Sequence, residues 1–120
     1  MSKSVPIEID NKTRNLRYDM NAISDLEDRI KTSIFSLLGS ERIGFGSTRQ
    51  LLWAGLRHED KGLTLEKAGD ILQRYIEAGN RLADISSLIV RALELAGVLA
   101  AAGVEDEPDS EGNGQTGAAN

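Results

Sequence analysis

Apolar and polar residues alternate strictly near the start of the chain. Val5, Ile7 and Ile9 alternate with Pro6, Glu8 and Asp10, and Leu16 and Tyr18 alternate with Asn15, Arg17 and Asp19. A period of two gives each strand one apolar face, and the polar run Asn11-Lys12-Thr13 between them predicts a hairpin turn. Pro6 has no backbone N–H, which suits a strand start or a sheet edge. Two strands alone are marginal in water, so the apolar face of this hairpin must lie on helices.

From Met20 the period lengthens. Met20, Ile23, Leu26, Ile30, Ile34 and Leu37 recur every three or four residues and predict one helix, with Asp19 or Asn21 as its cap. Glu27 sits at the edge of that stripe, either as a partly buried functional carboxylate or as the partner of Lys31. Gly39 and the segment Ser40 to Gly46 end the helix. Ser47-Thr48-Arg49-Gln50 fits a capping box and opens a second helix containing Leu51-Leu52-Trp53-Ala54-Gly55-Leu56-Arg57-His58-Glu59-Asp60. After a break at Asp60-Lys61-Gly62, Thr64 caps a third helix with Leu65, Ala68, Leu72, Tyr75 and Ile76 on one face, and Gly79 ends it. Asn80 is placed to cap the last helix, Arg81 to about Ala102.

The predicted fold is therefore mainly α (α+β), a short N-terminal β-hairpin packed on about four helices, without an internal repeat. Residues 1–4 form a flexible N-terminus, 5–103 a single domain, and 104–120 a disordered acidic tail. The tail reading rests on charge: the net charge of −5 comes from Glu105, Asp106, Glu107, Asp109 and Glu111, which no base follows. The rest of the chain is neutral, with its bases spread singly among acids. That pattern argues against a phosphate-backbone partner. No apolar h-region and no long apolar run is present, so no membrane association is expected and the cytoplasm of the cell that makes the chain is the expected location. The chain has no cysteine, which excludes disulfides and thiolate chemistry.

The only histidine and the only tryptophan share one short stretch. Successive helical residues diverge by about 100°, so His58, Glu59 and Asp60 do not converge on a metal from a helix. Four residues from His58 stand Ala54 and Gly62, neither of them a ligand. His58 is read instead as a solvent-facing helix end that suits the helix dipole, so its replacement by Ala is expected to leave folding nearly unchanged. No Ser lies in a G-x-S-x-G turn. Gly39 and Gly44 have P-loop spacing, but Phe45 stands where the lysine belongs. Gly44-Phe45-Gly46 lacks the strand and third glycine of a dinucleotide site, and Glu27 and Asp28 point apart. No enzyme activity, metal or cofactor is expected; a metal-dependent hydrolase built on His58 is kept only as a control reading.

Leu52 and Leu56, one turn apart, face the core, and Gly55 beside them permits close approach of another element. Trp53 falls at the rim of that core or on a partner-binding surface. In the last helix, Leu82, Ile85, Ile89, Leu93 and Ala96 form a core stripe, while Leu88, Leu95 and Leu99 form a second stripe beside it. That second stripe is either a wider core face or a binding surface, and Leu88, Leu95, Leu99 and Trp53 are the candidate partner-binding residues.

The run from Leu51 to Asp60, LLWAGLRHED, followed by Leu63-Thr64-Leu65-Glu66-Lys67-Ala68-Gly69, resembles the central motif of small tail assembly chaperones of long-tailed bacteriophages and gene transfer agents. The segments Ile7 to Tyr18 and Tyr18 to Glu27 resemble the hairpin and helix that precede it, and the likeness spans about residues 5 to 80. The resemblance implies a protein without catalysis that binds the helical tape measure protein, keeps it soluble and helps recruit tail tube subunits. A groove for an amphipathic helix is the binding mode such a client requires, and a homo-oligomer is an open alternative for the same surface. The runner-up is a small structural virion protein such as a head-to-tail connector subunit.

Overall fold

The computed structural model describes residues 3–39 and 43–98; Leu99, the expected helix end near Ala102 and the acidic segment 104–120 lie outside them. Among the described residues the order is β1 (Val5–Ile9), β2 (Lys12–Leu16), α1 (Met20–Ile30), α2 (Ile34–Leu38), α3 (Phe45–Leu56), α4 (Leu65–Glu77) and α5 (Leu82–Leu95). The hairpin on helices is the expected α+β arrangement, with one helix more than expected.

The hairpin turn lies one residue earlier than expected. Asp10 and Asn11 take positive φ values of 56° and 60°, the left-handed geometry that a two-residue turn needs and that Asp and Asn tolerate. Lys12 and Thr13 therefore belong to β2, and Ile9 pairs with Lys12. Val5, Ile7, Ile9 and Leu16 are all buried on the helix-facing side. Pro6 stands opposite Asn15. Because proline has no N–H to give, this is a pair without ladder hydrogen bonds, and the backbone of Asn15 points away from β1.

The single helix expected from Met20 to Leu37 is two helices. Lys31 adopts the left-handed conformation (φ 63°) and its N–H bonds to Glu27 O, ending α1. Ser33 then caps α2 by accepting from Ser36 N. Glu27 does not pair with Lys31; its Oε2 accepts from Ile34 N at 2.7 Å, satisfying a donor at the start of α2. The bend explains why the stripe is only partly buried. Ile23, Leu26 and Ile34 are in the core, whereas Met20 is 61% exposed.

Asp19, rather than Asn21, caps α1 through Ala22 N, and Thr64 caps α4 through Lys67 N. Two expected caps are displaced. α3 begins at Phe45 with Gly44 in the cap position, so Ser47 and Gln50 lie inside the helix. The N–H and the hydroxyl of Thr48 both reach Gly44 O, which draws the helix start three residues back. At the head of α5, Asp84 Oδ2 accepts from Arg81 N, and Asn80 instead donates its amide to Tyr75 O at the end of α4. Gly79 (φ 100°) ends α4 as expected.

The core is one connected cluster. α3 lies at its centre, packed on α1, α4, α5 and β2, while α5 crosses β1 and β2. Ala68, Ile71, Leu72 and Tyr75 bury one face of α4, and Ile85, Ile89, Ala92 and Leu93 one face of α5. Leu82 and Ala96, expected within that α5 stripe, are half-buried at its ends. Among the described residues no helix is long and apolar enough to cross a membrane.

Candidate functional site

The carboxyl-terminal half of α3 and the turn after it are where the resemblance is densest. Leu51, Leu52, Ala54, Gly55 and Leu56 are all buried. Gly55 is glycine for a steric reason: a Cβ there would stand 2.8 Å from the Tyr18 ring and 2.9 Å from Leu16 Cδ2. The close approach allows two further bonds. Arg17 N donates to Gly55 O at 2.9 Å, and the Tyr18 hydroxyl donates to Leu51 O at 2.6 Å in the interior. Burial pushes the Tyr18 phenol far above its ordinary pKa.

The polar end of the motif continues this attachment. Asn15 N and Nδ2 donate to the two carboxylate oxygens of Glu59, at 3.0 and 2.8 Å. His58 Nε2 lies 2.7 Å from Asn15 O; a carbonyl only accepts, so this nitrogen carries the proton and donates. Arg17, Asn15, His58, Glu59 and Gly55 thus close the edge of β2 that faces away from β1, much as a third strand would. Partial burial raises the Glu59 pKa, but the Asn15 hydrogen bonds and the charges of His58 and Arg14 outweigh it, and the carboxyl ends below its usual value.

His58 is therefore not the solvent-facing helix end expected from sequence. It is half-buried and ties α3 to β2, because the chain after Leu56 turns back along the strand. Asp60 makes the next turn, its carboxylate accepting from Gly62 N and its carbonyl from Leu63 N. Among the described residues no group of three or more His, Asp or Glu side chains could hold a metal ion.

Trp53 occupies the rim position. It is half-buried, its Nε1 donates to Leu63 O at 3.1 Å, and the guanidinium groups of Arg29 and Arg57 lie 4.5 and 4.9 Å from the ring centroid. Arg57 is held there by Asp25 at 2.6 Å. Such cation–π contacts cover the ring while its Nε1 is held by Leu63.

The other candidates lie on α5. Leu88 is half-buried against the core, Leu95 is 40% exposed, and Leu99 is outside the described residues. Beside Leu88 runs a shallow depression of about 540 Å³ lined by Ser86, Ser87, Val90, Arg91 and Glu94. Trp53 has its contacts with α1, α3 and the loop before α4, so it lies apart from Leu88 and Leu95 on α5. Sequence reading missed Asn15, since an asparagine in a short strand carries no periodicity signal, and it also missed Glu27 as the cap of α2. No protein-family model, curated protein or solved structure matches the chain.

Proposed function

We propose that the chain is a tail assembly chaperone of the kind found in long-tailed phages and gene transfer agents, acting without catalysis by holding a helical segment of a tape measure protein. The observation that supports this is the division of labour between the two surfaces. In LLWAGLRHED the groups capable of chemistry are used in internal bonds: His58 and Glu59 on Asn15, Arg57 on Asp25, Asp60 in its own turn. The outer side of α5 instead carries Arg91 and Glu94, flanked by half-buried Leu88 and Val90 and by exposed Leu95. An amphipathic client helix laid along α5 would cover those apolar atoms and meet both charges.

Co-expression with overlapping tape measure fragments tests the reading. A chaperone keeps one fragment soluble, co-purifies with it, and is missing from finished particles. A chain that instead persists in the mature particle and ignores every fragment is a structural subunit, and the chaperone reading is then lost.

A further inference from the structure

The turn after α3 borders a pocket of about 440 Å³ whose wall includes Arg17, Asp19, Asn21, Arg57, His58 and Lys61. Three of these are permanent cations against one carboxylate, in a body whose bases and acids balance. Their states differ. Arg57 is neutralised by Asp25 and stacked on Trp53. Asp19 is turned toward its own helix, its Oδ1 accepting from Ala22 N at 2.8 Å. Arg17 and Lys61 have no acidic partner among the described residues.

The two cations are brought together by the fold rather than by sequence. Arg17 is fixed because its N–H bonds Gly55 O, which anchors the backbone while leaving the guanidinium exposed. Lys61 follows from the tight turn at Asp60. Two cations outside any ion pair among the described residues, lining one concavity, form a receptor for a compact anion. We infer that this pocket binds an oxyanion, a phosphate or carboxylate group, between Arg17 and Lys61. Arg17 supplies a planar fork that fits two oxygens at once, and Lys61 supplies a point charge. The site is independent of the chaperone reading and lies on a different face from the α5 stripe.

Nature has placed a reporter in the wall. His58 is the only histidine in the chain, so its ring resonances are unique and respond to occupancy. Inorganic phosphate is titrated into the full chain at constant ionic strength and pH, with the ring signals followed by NMR. In a parallel arm the anion is a peptide with the sequence of residues 104–111, which carries carboxylates only. Saturable movement with either probe supports the site, and the tighter of the two identifies the oxyanion source.

The double variant Arg17→Gln/Lys61→Gln keeps the Arg17 backbone bond and should lose the response, with affinity at least tenfold weaker. The control Lys12→Gln/Lys67→Gln removes the same charge from exposed positions outside the pocket and should leave the response as it was. Equal weakening in both variants would mean an adventitious ion held by net charge, and the site is rejected. It is likewise rejected if neither probe moves the His58 ring saturably.

Discussion

The carboxyl-terminal turn of α3 and the outer face of α5 are both rich in leucine and in charge, yet they are built in opposite ways. Around α3 each feature has an internal counterpart: Gly55 receives Tyr18, Leu51 O receives its hydroxyl, Trp53 Nε1 finds Leu63 O, and His58 and Glu59 share Asn15. Along α5 only one side is treated so. Ile85, Ile89 and Leu93 are sealed in the core, while Leu95 stays 40% exposed and Leu88 half-covered. A dense run of distinctive residues therefore marks a place where the chain holds itself together. The plainer surface is the one left partly uncovered among the described residues, with Leu88 packed on the core by one side only and Leu95 exposed.

The comparison is tested most severely at Gly55. Gly55→Val places branched carbons where even a Cβ meets the Tyr18 ring and Leu16 at 2.8 to 2.9 Å. Both neighbours are themselves buried, so neither can swing into solvent. Overpacking of this kind costs about 1–3 kcal/mol where a core can shift, and here it also pulls apart the Arg17 and Tyr18 bonds. The expected outcome is loss of cooperative urea unfolding. A variant that unfolds at the wild-type midpoint would show that the β2 attachment is incidental.

Next in size is Tyr18→Phe, which deletes a buried donor to Leu51 O. The expected loss is about 1.5 kcal/mol, as for other buried hydrogen bonds. The alkaline limb gives a second readout. The phenol's folded pKa is raised by burial, so its contribution is fully present below the unfolded value near 10 and is lost as pH rises above it. There the unfolded chain releases a proton that the folded chain retains, and stability falls by about 1.4 kcal/mol per pH unit for one such group. Tyr18→Phe should flatten that fall; an unchanged alkaline slope would place its origin elsewhere.

How much of this was legible in the sequence depends on the range of the interaction. The alternation of Val5, Ile7 and Ile9, the Asp19 and Thr64 caps, and the glycines at 55 and 79 follow from local geometry and were readable. The bend at Lys31 was not, because the apolar period runs straight through it while Thr32 and Ser33 favour a new cap. Nor was the start of α3, where Ser47 fits a capping box but Thr48 reaches back to Gly44. The role of His58 depends on Asn15, 43 positions away. A histidine beside two acids looks like chemistry or a helix end until the strand is brought against it.

A smaller effect is expected for His58→Ala, which opens the β2 edge but leaves Glu59 on Asn15. One half-buried hydrogen bond is worth about 1 kcal/mol, read as a shift in the urea midpoint with an unchanged slope. Glu59 adds a pH signature on the acid side. Its folded pKa is lowered, so its contribution is present above the unfolded value and is lost as pH falls through the folded one. Glu59→Gln should remove that part of the acid dependence. If His58→Ala costs nothing, the histidine is outside the attachment after all.

The smallest effect on stability, and the largest expected on binding, belongs to Leu88→Gln/Leu95→Gln. The two residues are seven apart and so share one side of α5. Leu95 is 40% exposed and Leu88 only half-covered, so little apolar area returns to water; glutamine is also a good helix former. The cost should stay below about 1 kcal/mol, near the range of ordinary surface changes. Leu72→Ala supplies the contrast: it is 6% exposed on the core face of α4, and truncating such a leucine costs about 2–5 kcal/mol. If α5 carries the client, the double variant keeps its helical circular dichroism and its melting yet loses the tape measure fragment, or comes apart as an oligomer if the partner is a second copy. If it unfolds as readily as Leu72→Ala, the stripe is core, and the contrast between the two regions disappears. If it folds and binds with unchanged affinity, the client lies elsewhere on the molecule.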